Sequence, residues 1–337
     1  MYVPQFCIGK HLKRKRSQFE RAATREVLMR LKSAGLLMLL SLLLGAFPLA
    51  LAGQAGPQRT TILMGGGTID VRLPDGPMAL SRAELLRWVR AAATAVTHYY
   101  GHYPVPHVTL RIRSFEGSGV RHGVTFPWHG GTIMIHVGTE TTVAELKRDW
   151  MLTHEMVHLA FPSMADNHHW IEEGIATYVE PIARAEVDEY PVSSVWRQFV
   201  RDMPQGEPAA GDKGLDRTPT WGRTYWGGAM FCLLADVQIR ERTHNRMGLQ
   251  DALRAIVNHG GVISQDWTIE KAFATGDRAT GTHVLEGLYR KMRDKPANVD
   301  LDQLWKQLGV EANGHSVSFL NSAPDAATRR AITPPRS

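Results

Sequence analysis

A chain of 337 residues, 43% of them hydrophobic and 21% charged, has the make-up of a globular protein with a sizeable core, one larger domain or two modest ones. Its formal charge is +6, but residues 1–32 hold nine Lys/Arg against Glu20 and Glu26, which leaves −1 for everything from residue 33 onward. That split excludes a basic nucleic-acid-binding body, and no nucleic acid is expected among its partners.

The basic stretch leads into an apolar block, GLLMLLSLLLGAF at 35–47, and then into Ala50-Leu51-Ala52. Basic flank, apolar region and small-residue site together make a secretory signal peptide. The block is short for a membrane-spanning helix, which needs roughly 20 residues. Cleavage after Ala52 leaves an exported chain starting near Gly53, periplasmic or secreted. A membrane is a partner only if the segment stays uncleaved as an anchor. Met29 opens a signal of ordinary proportions and reads as the true start. Cys7 falls in this 1–52 leader, so Cys232 in AMFCLLADV has no intramolecular partner in the mature chain and reads as a buried, inert thiol.

Beyond the leader, TTILMGGGTIDVRLPDG (60–76) alternates like two strands around a glycine turn. SRAELLRWVRAAATAVTHYYG (81–101) opens on a Ser cap and carries apolar residues at helical spacing. HVTLRIRSF (107–115) alternates as a strand, GSGVRHGVTFPWHGG is a glycine-rich connection, and TIMIHVG (132–138) is a further strand. A long helix is expected from about Thr142 to Phe161, stopped by Pro162, and another over 170–184. After a Pro/Gly-rich loop at 203–222, TYWGGAMFCLLADVQIRERT (224–243) reads as a buried helix, with further helices at 248–258, 268–275, 284–293 and 300–308. The fold class is therefore α+β: an α/β half at 57–162, a helical half at 163–310 and a C-terminal extension at 311–337.

The chemistry gathers in WMLTHEMVHLAF (150–161). His154 and His158 stand four apart, which on a helix puts both imidazoles on one face, one turn apart. Neutral imidazole is a good zinc ligand, and in H-E-x-x-H the intervening Glu155 is the expected general base. A histidine pair on a buried core helix is the bland reading of the pentapeptide. A hydrolytic zinc needs three protein ligands and an open fourth position. Glu173, separated from His158 by fourteen residues and lying in HHWIEEGIATYVE, can supply the third, with Glu172 as its rival. The two point about 100° apart on a helix, so only one can face the metal.

HEMVH followed by WIEEGIATYVE resembles the gluzincin metallopeptidases, especially the aminopeptidase N and glycyl aminopeptidase families. Their motif is H-E-x-x-H, a spacer, then W-x-x-E-G-x-A-x-Y-x-E. Laid on this chain, the E-G pair is Glu173-Gly174, and Ala176, Tyr178 and Glu180 also match. The resemblance implies a thermolysin-like catalytic unit, a mixed sheet with helices followed by a mostly helical half. It implies one zinc ion held by His154, His158 and Glu173, and a peptide or protein substrate. Those families place a tyrosine, in Y-x-K-G at the start of a later helix, where it donates to the tetrahedral intermediate. Tyr225 and Gly228 match that segment, with Gly227 in place of the lysine, and Asp236, Ile239, Arg240 and Thr243 are similar to the glycyl aminopeptidases. The spacer is shorter than in aminopeptidase N. The chain has no G-x-M-E-N motif to hold a substrate amine, so endo- and exo-cleavage both stay open.

The expectation is thus an exported zinc metallopeptidase that hydrolyses peptide bonds through a zinc-activated water. Glu155 serves as base, Tyr225 stabilises the oxyanion, and Glu180 is a candidate to orient a ligand imidazole. If TIMIHVG is an exposed edge strand, it can pair with an extended peptide, with 119–131 forming one wall of the cleft; the other reading is an ordinary core strand. His168 and His169 read as solvated loop positions or contacts to substrate or a second metal. The alternative function is a non-catalytic zinc-binding envelope protein that keeps the fold.

Overall fold

The structure, a computed structural model, describes residues 59–334. The signal segment and the proposed start at Met29 lie outside the described residues. Five strands make one mixed sheet: β1 (Arg59–Met64), β2 (Gly67–Arg72), β3 (His107–Phe115), β4 (Val120–Phe126) and β5 (Thr132–Gly138), in the order β1-β2-β3-β5-β4. β1 and β2 form a hairpin whose Gly65 and Gly66 take φ of 52° and 86°, a left-handed turn suited to glycine. β2, β3 and β5 run parallel, and β4 runs antiparallel to β5 at the sheet's edge.

That order corrects the edge-strand expectation. TIMIHVG is an interior strand, paired on both sides, and the edge belongs to β4, inside the stretch taken for a glycine-rich connection. A bulge between Arg121 and Val124 interrupts its register, so alternation is broken within β4.

Helix α1 (Arg82–Tyr100) crosses over between β2 and β3. It starts at a full capping box, Ser81 with Glu84, and ends at Gly101 in the left-handed conformation. Its Val89, Ala93 and Val96 pack with Ile69, Val71, Leu110, Ile133 and Ile135 of the sheet in one core. The long helix expected over 142–161 is in fact two: α2 (Val143–Arg148) and α3 (Met151–Val157). Asp149 breaks it with extended backbone (ψ 134°) and turns its carboxylate onto the N–H groups of Met151 and Leu152, at 3.1 and 3.2 Å. An aspartate that offers the backbone a local acceptor competes with helix continuation.

The remainder is mostly helical: α4 (His169–Glu186), α5 (Val192–Asp202), α6 (Gly228–Thr243), α7 (Leu249–Asn258), α8 (Ile269–Thr280), α9 (Val284–Met292), α10 (Leu301–Leu308) and α11 (Ala326–Ile332). α5 has no counterpart among the sequence expectations, although Val195, Trp196 and Phe199 mark a buried stripe. The stretch after residue 310 folds back on the body. β6 (Val310–Asn313) and β7 (Ser316–Phe319) form a hairpin, Arg329 on α11 donates to the carbonyls of Leu308 and Gly309, and Trp196 donates to Thr333 at 3.0 Å. Cys232 is buried and free, its thiol pushed up by burial. Among the described residues no helix is long and apolar enough to cross a membrane.

At the end of α4, Glu186 is buried, and its carboxylate accepts from Gln250 at 3.1 Å, with His98 3.8 Å away. Burial pushes its pKa up to about 7, against the smaller pull of Arg254. Folding therefore favours its protonated form. That contribution is complete below the unfolded carboxylate pKa and is lost as pH rises through about 7. Glu186→Gln should therefore gain stability over the parent between about pH 5 and about pH 8, read from urea unfolding at both values. A pH-independent difference would mean that the carboxyl is not held protonated.

Candidate active site

Helix α3 buries Leu152, Met156 and Val157 completely in the core and turns His154 the other way. His158 follows one turn on, where the helix tightens into a 3-10 turn over His158–Ala160. The facing wall is α4, which starts at His169 and brings Glu173 inward one turn later. Oε2 of Glu173 lies 3.1 Å from Nε2 of His154 and 3.6 Å from Nε2 of His158. The three ligand atoms fall within 4.8 Å of one another. Glu172 points elsewhere: its carboxylate accepts from the Met164 N–H at 3.1 Å and meets His169 Nδ1 at 3.0 Å.

His169 corrects the solvated-loop reading. Its Nε2 lies 3.2 Å from Oε1 of Glu173, so one imidazole clamps both neighbouring glutamates of α4. Burial works against its charge, but the bonds to Glu172 and Glu173 raise its pKa to about 10. His168 is also engaged: its Nε2 lies 3.1 Å from the Tyr289 hydroxyl, which donates to Asp216 at 2.8 Å, and Trp170 donates to the same carboxylate at 2.8 Å. Burial alone would raise Glu173, but His158 and the bonds from His154, His158 and His169 hold its carboxyl well below the usual range. Burial likewise opposes charge on His158, yet Glu173 and Glu155 push its pKa up.

The set therefore fits a divalent zinc. Two imidazole nitrogens and one carboxylate oxygen converge, the number and kind of protein ligands a hydrolytic zinc takes, and a buried carboxylate is stabilised by positive charge. A second convergence, Asp277, His283 and Glu286, has another explanation. Asp277 already accepts from the N–H groups of Leu285 and Glu286, at 2.9 and 3.0 Å, and caps α9.

Glu155 sits on the β4 side of the site. Thr125 of β4 donates to its Oε2 at 2.6 Å. Gly123 makes the room: a Cβ there would come 2.7 Å from Glu155 Oε1. Burial raises the Glu155 pKa against the opposing pull of His158 and His154. Glu180 is not found on a histidine; its carboxylate accepts from Arg184 at 2.8 Å within the same helix. Thr125 and Gly123 were not singled out from the sequence, and only their positions in space give them a role.

Tyr225 comes from a widened, π-helical turn (Arg223–Gly227) just before α6. Such turns insert an extra residue and recur at functional sites. Its ring lies 6.4 Å from that of His154, at 23° between planes. Burial, then the charges of Glu173 and Glu155, keep its hydroxyl firmly protonated. Two exposed tryptophans flank these rings: Trp150 meets His154 edge-on at 5.3 Å, and Trp221 stacks on Tyr225 at 5.7 Å.

What brings α4 and α6 together is an absence of side chains. A Cβ on Gly174 would lie 2.4 Å from the Gly228 Cα, and one on Gly228 would lie 2.2 Å from the Trp170 carbonyl oxygen. Beyond that crossing, Tyr178 donates to Asp236 at 2.9 Å, and Asp236 also accepts from Arg240 at 2.7 Å and from the Leu249 N–H at 3.0 Å. The motif residues of two separate helices thus meet in one buried polar network.

No family model matches this sequence, and no curated protein does. Among solved structures, the chain is similar to an aminopeptidase N family protein from Idiomarina loihiensis, with a TM-score of 0.57 and 11% identity over 76% of this chain and 49% of that one. A weaker likeness is to an M1 zinc metallopeptidase from Deinococcus radiodurans, with a TM-score of 0.47 and 15% identity over 72% and 52%. The chain spans about half the length of these structures. The first likeness shows the fold alone: an α+β arrangement shared with that aminopeptidase N family protein.

Gly174→Ala should place a methyl against the Gly228 backbone and force α4 and α6 apart. A loss of about 1–3 kcal/mol is expected in denaturant unfolding, with weaker zinc retention by the folded fraction. Unchanged stability would mean that the two backbones are not in contact.

Proposed function

We propose that this chain is an exported zinc metallopeptidase that hydrolyses peptide bonds. The observation that carries the reading is the convergence of His154, His158 and Glu173 beside a buried Glu155 and the Tyr225 hydroxyl. Zinc held by those three residues would supply Lewis acidity, making water nucleophilic at neutral pH and polarising a carbonyl. Glu155 then takes the proton of the attacking water. Thr125 holds its Oε2 and leaves Oε1 for that proton, and burial raises the carboxyl towards the range a base needs. The same carboxyl returns the proton to the leaving amine. Tyr225, kept protonated, donates to the oxygen on which negative charge develops.

The open side of β4 gives an extended peptide a strand to pair with, next to Glu155. A peptide or protein is thus the substrate class. A purely structural zinc protein of the envelope would need neither a buried Glu155 nor a tyrosine beside the ligands. Export rests on the signal-like leader alone.

The test uses residues 57–337, which form one compact unit. The purified protein should bind one zinc and cleave members of a peptide library. Glu155→Gln should keep the metal and lose turnover by roughly 10²–10⁴-fold. His154→Ala should lose the metal itself. Tyr225→Phe should lower kcat by about 10²-fold or more at unchanged zinc content. Full turnover in Glu155→Gln would remove the glutamate from the mechanism, and a wild type without zinc would remove the ligand set.

A further inference from the structure

The outer face of the sheet carries a row of arginines. Register places Arg59 of β1 opposite Arg72 of β2, and Arg72 opposite Arg111 of β3, with Arg113 two residues further along β3. Like charges directly opposite on neighbouring strands repel, so this arrangement costs stability unless something offsets it. Among the described residues of this face the one acid is Asp70, which attracts Arg72 but spends its hydrogen bonds on Thr61 at 2.9 Å and His107 at 3.1 Å, so the offset is partial. The Nε of Arg111 is shut off from solvent and has no hydrogen-bond partner. Burial and then Arg72, Arg113 and Arg59 all disfavour its charge, with no carboxylate opposing them. The body of the protein sums to −1, so the row is a local concentration and not the overflow of a basic chain.

The neighbourhood points to the kind of anion. Leu63, 76% exposed and the most exposed large apolar side chain described, projects from the arginine face by the two-residue period of β1. The chain enters β1 at Arg59, shortly after the apolar run at 35–47. Leu63 pairs with Thr68 at the other end of the hairpin from Arg59 and Arg72, so arginines and leucine share one face from opposite ends. Such a face suits a surface with anionic headgroups over an apolar interior better than a soluble polyanion, which offers the leucine nothing.

We propose that this arginine face docks the protein on an anionic phospholipid surface, with Arg72, Arg111 and Arg113 against the headgroups and Leu63 at the acyl boundary. The inference is independent of the peptidase reading, because the face lies on the sheet's far side from α3 and its histidines. Docked in this way, the protein would present the zinc side away from the bilayer.

Co-sedimentation of residues 57–337 with vesicles tests it without the basic leader. Binding is expected to vesicles of phosphatidylcholine containing phosphatidylglycerol, to be absent from pure phosphatidylcholine, and to fall with added salt. Replacing Arg72, Arg111 and Arg113 by Gln should weaken partitioning by about 100-fold, at a melting temperature no lower than that of the parent. The triple Arg→Lys variant should restore most of it, and Leu63→Ser should lower it several-fold at unchanged charge. Equal binding to neutral vesicles would overturn the proposal, as would a triple Gln variant that binds like wild type. Arginine-dependent binding to dextran sulfate with none to the anionic vesicles would replace the lipid by a soluble polyanion.

Discussion

The contact of Gly174 with Gly228 is the constraint on which the site rests. Two helices approach backbone to backbone only where neither carries a side chain, and here the two glycines face each other. Glu173 immediately precedes one of them, and Tyr225 lies three residues before the other, in a π-helical turn that widens the entry to α6. A methyl at either glycine would therefore move the third candidate ligand relative to the tyrosine. The E-G and Y-x-x-G spacings seen in the sequence are two halves of one packing requirement. The Tyr178–Asp236–Arg240 network ties the same helices together further along, so the crossing is held at two points.

The buried carboxylates around the site divide by partner, and the division suits the roles proposed for them. Glu180 is neutralised by Arg184 and Glu172 is occupied by His169 and a backbone N–H. Glu173 collects three imidazoles, which hold it ionised despite burial. Glu155 receives one hydroxyl, from Thr125, and no arginine or lysine. Removing a carboxylate from water without a fixed countercharge raises its affinity for a proton. A group that must accept and release a proton during each turnover gains from that environment, whereas a metal ligand gains from the opposite one. Adjacent elements thus build two chemically different carboxylates less than one helical crossing apart.

Much of this was legible in the sequence where one short-range pattern decides the outcome. The Ser cap at Ser81, the alternation of β3 and the His154–His158 spacing each depend on neighbours within a few residues. Where long-range packing decides, the pattern was silent or misleading. β4 was hidden because its bulge breaks the alternation, while Gly123, read as a sign of a loop, is the residue that lets the strand pass close to Glu155. The helical pattern expected over 142–161 concealed the break at Asp149, whose carboxylate is held by Trp88 Nε1 from α1, 61 positions away. His169 looked like a loop residue because nothing local says that the helix begins there. The stretch after 310 looked like an extension because its partners, Trp196 and the end of α10, are distant in sequence.

The short spacer between His158 and Glu173 follows from how that segment is built. A long connection would let α4 find its place against α3 freely, whereas fourteen residues have to be folded economically. The chain does so with two 3-10 turns, His158–Ala160 and Asp166–His168, joined by an extended piece. That piece is anchored by Ser163, whose N–H donates to the Gln265 carbonyl at 2.8 Å and whose hydroxyl donates to the Ile263 carbonyl at 2.7 Å. Glu172 closes the loop from the other end through the Met164 N–H. The glutamate that does not face the histidines, Glu172, is therefore the one that fixes the spacer, and its neighbour Glu173 is free to face them because the spacer is fixed.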